Sequence, residues 1–178
     1  TNAMTGAVSI THSGSANVAI DNGTTALNLG TVTVGQNFSA TSGGAITDSG
    51  VITVAGTATF VTDVNDIDIV LDSDNAITGA LTFTTQTSGS TNGADITFDN
   101  GSTAISLAAF TTEGDLTLKT DAAIALTGHN VQGDLSVTSA GAITQSAALT
   151  VSGTSGFTST GTNTNITLST DSNAFTGA

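Results

Sequence analysis

The chain has 178 residues, with 21 Gly and no Pro, Cys, Trp or Tyr. Its acids (13 Asp and Glu113) face a single cation, Lys119, giving a formal charge of −13 although only 8% of residues are charged. That balance excludes the basic face needed to neutralise nucleic-acid phosphates and argues against docking on anionic lipid. The length allows one domain with a real core.

Further bounds follow from what the chain omits. The absence of Cys suits a secreted bacterial product as well as a cytosolic one. No basic-then-apolar segment follows Met4, so no signal peptide is read, and no apolar run approaches the ~18 residues that cross a bilayer.

In chain order, the first element is a phrase, "NAMTGA" at 2–7, which returns as "NAITGA" at 75–80 and "NAFTGA" at 173–178. Residues 1–4 first suggest a stray leader ahead of a start codon, but the recurrence makes Met4 a repeat position, and Thr1 aligns with Asp74 and Ser172. Asn and Gly mark a corner, with Met4, Ile77 and Phe175 expected to turn inward. "AIDNGTTALNL" (19–29) then matches "TFDNGSTAISL" (97–107), and "SGGAITDSGVITVAGTATF" (42–60) matches "SAGAITQSAALTVSGTSGF" (139–157). The offsets step through 73, 78, 97 and 98 residues. Two homologous units are therefore expected, 1–73 and 74–171, with the start of a third at 172–178.

The steps locate the insertions. Five residues enter within "QTSGSTNGAD" (86–95), a loop extension. Nineteen enter as a whole module, because "LAAFTTEGDLTLKTDAAIA" (107–125) resembles "LTGHNVQGDLSVTSAGAIT" (126–144). A sandwich or closed barrel would not survive gain or loss of such a module, whereas a solenoid merely changes length. Short alternating stretches carry Leu116/Leu118, Ile124/Leu126, Leu135/Val137, Ile143 and Leu149/Val151 inward, with Gly, Asn, Asp and Ser at corners. Thr and Val favour strands, and no extended 3.6-residue apolar period is present. The expectation is an all-β chain: a parallel β-helix of eight or nine coils, about 19–22 residues each, forming a rod about 40 Å long. Absent Pro fits, since every strand must donate to its neighbours.

"GDLSVTSAGAITQSAALTVSG" (133–153) resembles the repeats of filamentous haemagglutinin and related Gram-negative exoproteins. "NAITGA" and "ALNLGTVTVG" (26–35) are similar to repeats of giant autotransporter-like adhesins. The resemblance covers essentially the whole chain and implies a right-handed β-helix, export to the outer cell surface and an adhesin shaft. The amino-terminal secretion domain of that family has no counterpart in this sequence.

The chain offers few residues for chemistry. His12 ("ITHSGS") and His129 ("LTGHNVQG") read as solvated turn residues. A β-helix lyase needs cations for an acidic sugar, and only Lys119 is offered. A glycosidase needs paired carboxylates and aromatic platforms, yet the Phe residues (Phe60, Phe83, Phe98 and Phe157 among them) fall on inward positions. The acidic stretch "DVNDIDIVLDSDN" (63–75) places Asp66, Asp68 and Asp72 outward, where calcium could bridge them; "NTNITLST" (163–170) does not repeat those acids, so a solvated face is the plainer reading. Outward Thr positions drift too much for an ice-binding array. No catalytic, cofactor-binding or metal residue is therefore expected. The reading is a non-enzymatic shaft segment whose parent protein reaches a host-cell, glycan or neighbouring-cell ligand, and whose own contacts are adjacent repeats, with no nucleic acid and no membrane insertion. A glycan- or partner-binding face, with calcium or without, is the alternative, and a carbohydrate-active β-helix enzyme the more distant one.

Overall fold

The computed structural model describes residues 2–89, 93–169 and 172–177. Thr1, the middle of the 86–95 loop and Ala178 of the closing phrase lie outside the described residues. The strands run from two to eight residues, most of them five or fewer, and are too short to bury an inner face alone. They stack instead, every named pairing is parallel, and no helix occurs among the described residues.

The chain winds through about eight coils. The first carries β1 (Val8–His12) and β2 (Val18–Asp21); the second carries β3 (Leu27–Val34), which spans two faces, and β4 (Phe38–Ser42). The third holds β5 (Ile46–Asp48), β6 (Ile52–Val54) and β7 (Ala58–Asn65), and the fourth β8 (Ile69–Leu71), β9 (Ala76–Ile77) and β10 (Leu81–Gln86). The fifth has β11 (Ile96–Asp99), β12 (Ile105–Ser106) and β13 (Thr111–Thr112); the sixth β14 (Leu116–Thr120), β15 (Ile124–Leu126) and β16 (Asn130–Val131). The seventh has β17 (Leu135–Ser139), β18 (Ile143–Gln145) and β19 (Thr150–Val151); the eighth β20 (Ser155–Ser159), β21 (Ile166–Thr167) and β22 (Ala174–Phe175).

Register is set by side-chain columns. Ile46, Ile69, Ile96, Leu116 and Leu135 lie one above another, all inside the core. Phe38, Phe60 and Phe83 form an aromatic spine with centroids 6.0 and 5.8 Å apart, extended by Phe110 at 6.1 Å. Such spacing is favourable for ring pairs. Coil length is more variable than the expected 19–22 residues. Ile105 pairs with Ile124 and Ile124 with Ile143, 19 residues apart each time, but Ile69 pairs with Ile96, a 27-residue turn. The extra residues fall between β10 and β11, where the pairing of β10 with β7 shifts register between Thr84 and Gln86, so the module length is kept only where no corner is extended.

Sheet order shows how the two homologous stretches meet. β5, β8, β11, β14, β17 and β20 belong to one sheet, while β2, β4, β7 and β10 form another. By the 97-residue offset Ile46 corresponds to Ile143, and Ala58 to Ser155. Yet Ile46 shares its sheet with Ser155, and Ile143 lies on the next face round. Equivalent segments are thus displaced by one face of the rod, because the coils between them do not sum to a whole number of turns.

Two further expectations change. Phe157 is only half-buried and Phe175 is 39% exposed: both have inward register, but they lie in the last of the described coils. Asp66 does not share a strand face with Asp68 and Asp72. It sits in a left-handed turn (φ 59°) between β7 and β8, although all three acids are exposed.

Candidate functional site

The polar groups that recur from unit to unit converge on contacts between coils. Asn75 accepts from the Ile52 amide (2.7 Å) and donates to Asp48 Oδ2 (2.8 Å) and the Leu71 carbonyl (3.3 Å). Asn173 does the same with the corresponding residues: it accepts from the Leu149 amide (2.9 Å) and donates to Gln145 Oε1 (2.9 Å) and the Leu168 carbonyl (3.4 Å). The Thr of the phrase adds a hydroxyl bond, Thr78 to the Val54 carbonyl and Thr176 to that of Val151. Its Gly lies flat on the coil beneath. A Cβ on Gly79 would collide with the Gly56 carbonyl, and one on Gly177 with that of Gly153, whereas at Gly6 nothing stands within 4 Å.

A second clamp is built from the "DNG" corner. Asn100 accepts from the Ile77 amide (2.8 Å) and returns a bond to the Ile77 carbonyl (3.0 Å), while also holding the Thr103 and Ala104 carbonyls. Asn22 repeats the arrangement on Met4, Thr25 and Ala26. An amide side chain supplies donor and acceptor together, so one buried Asn satisfies several backbone groups that no strand reaches.

The acidic residues are used similarly. Asp68, Asp95, Asp115 and Asp134 form a ladder in which each Oδ1 accepts the amide of the next coil: Asp95 (2.9 Å), Asp115 (2.7 Å), Asp134 (2.7 Å) and Thr154 (2.7 Å). In the first unit Asn17 and Asn37 fill the same role toward Asn37 and Thr57. A neutral amide serving at these positions identifies the ladder as a hydrogen-bond device rather than a charge device. This ladder escaped the sequence reading because its members are 19 to 27 residues apart. The signal was present in the repeated "GDL", which puts an Asp at the same point of successive coils. Glu113, the single Glu, is 5% exposed and accepts the Ser88 (2.7 Å) and Gly89 (2.8 Å) amides, holding the long loop to the body. No three His, Asp or Glu side chains converge as a metal-ligand group among the described residues.

Burial pushes the Asp48 carboxyl above its ordinary value, opposed by the bonds it accepts from Asn75, Ser73 and Asp72. Lys119 meets Asp99 at 2.5 Å across adjacent strands, with Asp99 buried and the lysine 53% exposed. The hydrogen bond to Asp99 and its charge raise the lysine's pKa.

Neither histidine is a solvated turn residue. His12 is half-buried as the last residue of β1, and His129 is 1% exposed in the core. His129 packs on Phe110, ring centroids 4.9 Å apart, and its Nε2 accepts from the Thr127 amide at 3.3 Å while Nδ1 has no partner. Burial alone pushes its pKa down to about 4. The register of β13, β16 and β19 stacks Phe110, His129 and Leu149 as neighbours. The match of "LAAF" with "LTGH" already aligned His129 with Phe110, an inward column; its polar flanks hid this. The two histidines stand on the first and sixth coils and share no site.

The fold and its clamps define a class: a β-solenoid assembled from tandem repeats whose repeated polar residues join coil to coil. Residues 15–84 and 113–178 match a family described as repeats of unknown function (DUF5649), and the chain belongs to that family. No curated protein and no solved structure matches it.

Proposed function

We propose that this chain is a non-enzymatic shaft segment of a large adhesin-like exoprotein, displayed outside a Gram-negative cell. One observation carries the reading. In its copies at 75–80 and 173–178, the phrase repeated most faithfully within the chain directs its Asn amide, Thr hydroxyl and Gly at the coil beneath it. A phrase repeated for recognition would hold its polar groups outward, where a partner reaches them. The one-face displacement between the units supports the same view, since equivalent surfaces lie on different sides of the rod. The mechanism is geometric: parallel ladders and a filled interior keep about 5 Å of rise per coil and hold a distal region away from the cell. That distal region, not this segment, meets the host-cell, glycan or neighbouring-cell ligand.

The test is to shorten the shaft within the parent protein by removing residues 126–144. Adhesion is expected to stay within about twofold, because neighbouring coils re-form equivalent contacts, and antibody to this segment is expected to label intact cells. Loss of adhesion while the shortened protein remains on the surface would instead favour a recognition face in this segment. Failure to label intact cells would overturn the surface reading.

A further inference from the structure

The boundary between the fourth and fifth coils is joined differently from its neighbours. From the second coil to the eighth, every other boundary among the described residues is crossed by three parallel strand pairings. Here only β8 on β11 continues. β9 and β10 end their sheets below the boundary, β12 and β13 begin theirs above it, and a single bridge, Leu81 to Leu107, spans the gap. Side chains supply the remaining contacts. Phe83 packs on Phe98 and Phe110, ring centroids 5.6 and 6.1 Å apart, Glu113 accepts the Ser88 and Gly89 amides, and Asn100 bonds both the amide and the carbonyl of Ile77. In a stacked array, partial opening starts where the fewest strand pairings must be broken.

Asn100 is followed by Gly101. In an Asn-Gly pair the side-chain amide is readily attacked by the next backbone nitrogen, because glycine has no Cβ to hinder the approach. The closed boundary holds this reaction off. The Asn100 side chain is 1% exposed and fixed by four hydrogen bonds, one accepted and three donated. The Gly101 nitrogen donates to Asp99 Oδ1 at 2.9 Å, and Asp99 is held in turn by Lys119 of the next coil. Gly101 is itself buried, in the left-handed region (φ 50°), with the backbone of Asp74 and Asn75 packed against it.

We propose that Asn100 is a deamidation site gated by this boundary, and that its modification makes opening there one-way. When the boundary parts, a base in solvent takes the Gly101 amide proton and the nitrogen attacks Asn100 Cγ. The Cγ–Nδ2 bond breaks, ammonia leaves, and the cyclic imide adds water at either carbonyl to give aspartate or isoaspartate. Either product carries a carboxylate where the amide stood. It has no N–H to return to the carbonyls of Ile77, Thr103 and Ala104, so closing again would bury a charge against unpaired acceptors.

The chain has two further Asn-Gly pairs, Asn22-Gly23 and Asn92-Gly93, so conversion is followed at each by peptide mass. In mildly alkaline buffer Asn100 is expected to convert about a hundredfold more slowly in the folded chain than in concentrated urea. Val70→Cys/Thr97→Cys links facing residues of β8 and β11, at a separation a disulfide spans, in a chain without other Cys. In its oxidised form this variant should slow Asn100 about tenfold relative to its reduced form and leave Asn22 unchanged. Asn100→Asp should split the melting transition in two. Equal rates at Asn100 in the folded and unfolded chain would overturn the proposal. So would equal slowing of Asn22 by the disulfide, because unfolding of the whole chain would then be the gate. A single transition at the parent's midpoint for Asn100→Asp would refute the one-way step.

Discussion

The same residue type does different work depending on whether a coil lies beneath it, and the recurring phrase allows a controlled comparison. Gly79 rests on the Gly56 backbone whereas Gly6 has open space. Gly79→Ala is expected to lower stability by about 2–3 kcal/mol, because backbone rather than a flexible side chain must move. Gly6→Ala should lie within about 0.5 kcal/mol of the parent chain, and equal effects in thermal melts would sink the explanation. His129 makes a pH prediction. Its folded pKa of about 4 lies below the ordinary 6.5, so between those values the unfolded chain binds the extra proton. The stability contributed by the neutral ring is complete above pH 6.5 and is lost as pH falls toward 4, a difference of about 3 kcal/mol. His129→Leu suits a column bounded by Phe110 and Leu149 and should remove that component. Subtracting its pH–stability curve from the parent's isolates the histidine from the carboxylates, and parallel curves would refute the assignment.

At the level of elements, the unit of construction is the coil, and its length is set by corners rather than strands. β12, β15 and β18 repeat every 19 residues, so removing 126–144 should bring Leu116 of β14 beneath Ser155 of β20 and leave one coil fewer. Glu113 and the loop it holds are retained. The shortened chain is expected to keep the circular dichroism of a parallel β protein, unfold cooperatively, and be shorter by about 5 Å in small-angle scattering. Loss of cooperative unfolding would show that the coils are not interchangeable. The repeats and the 19-residue module were legible because insertions step the offset while leaving flanking patterns in phase. The 27-residue turn between Ile69 and Ile96 contains the five-residue loop extension read within 86–95, which lengthens a corner without adding a strand.

For the whole molecule, the net charge of −13 invites a cation-dependent account, and the Asp ladder is where it would apply. Asn17 and Asn37 perform the same bonding without charge, so the hydrogen bond at these positions does not depend on a carboxylate. A site with a dissociation constant near 0.1 mM would add about 2 kcal/mol at about 5 mM calcium, a shift of several degrees in the melting midpoint. The expected result is no calcium-specific shift, with calcium and magnesium curves superimposed. A shift seen with calcium alone would restore the cation-assisted binding face.

Composition, alternation and stepped self-similarity sufficed by themselves for the stacked parallel coils, for most inward residues and for the module length, because strand period and repeat phase are local properties of a chain. Which face each segment occupies was settled only by the tertiary structure. That placement depends on the sum of all coil and corner lengths between two segments, and a few loop residues are enough to turn equivalent strands onto different sides. The same sum brings Asp68, Asp95, Asp115 and Asp134 into one ladder and sets His129 in an apolar column despite polar flanks.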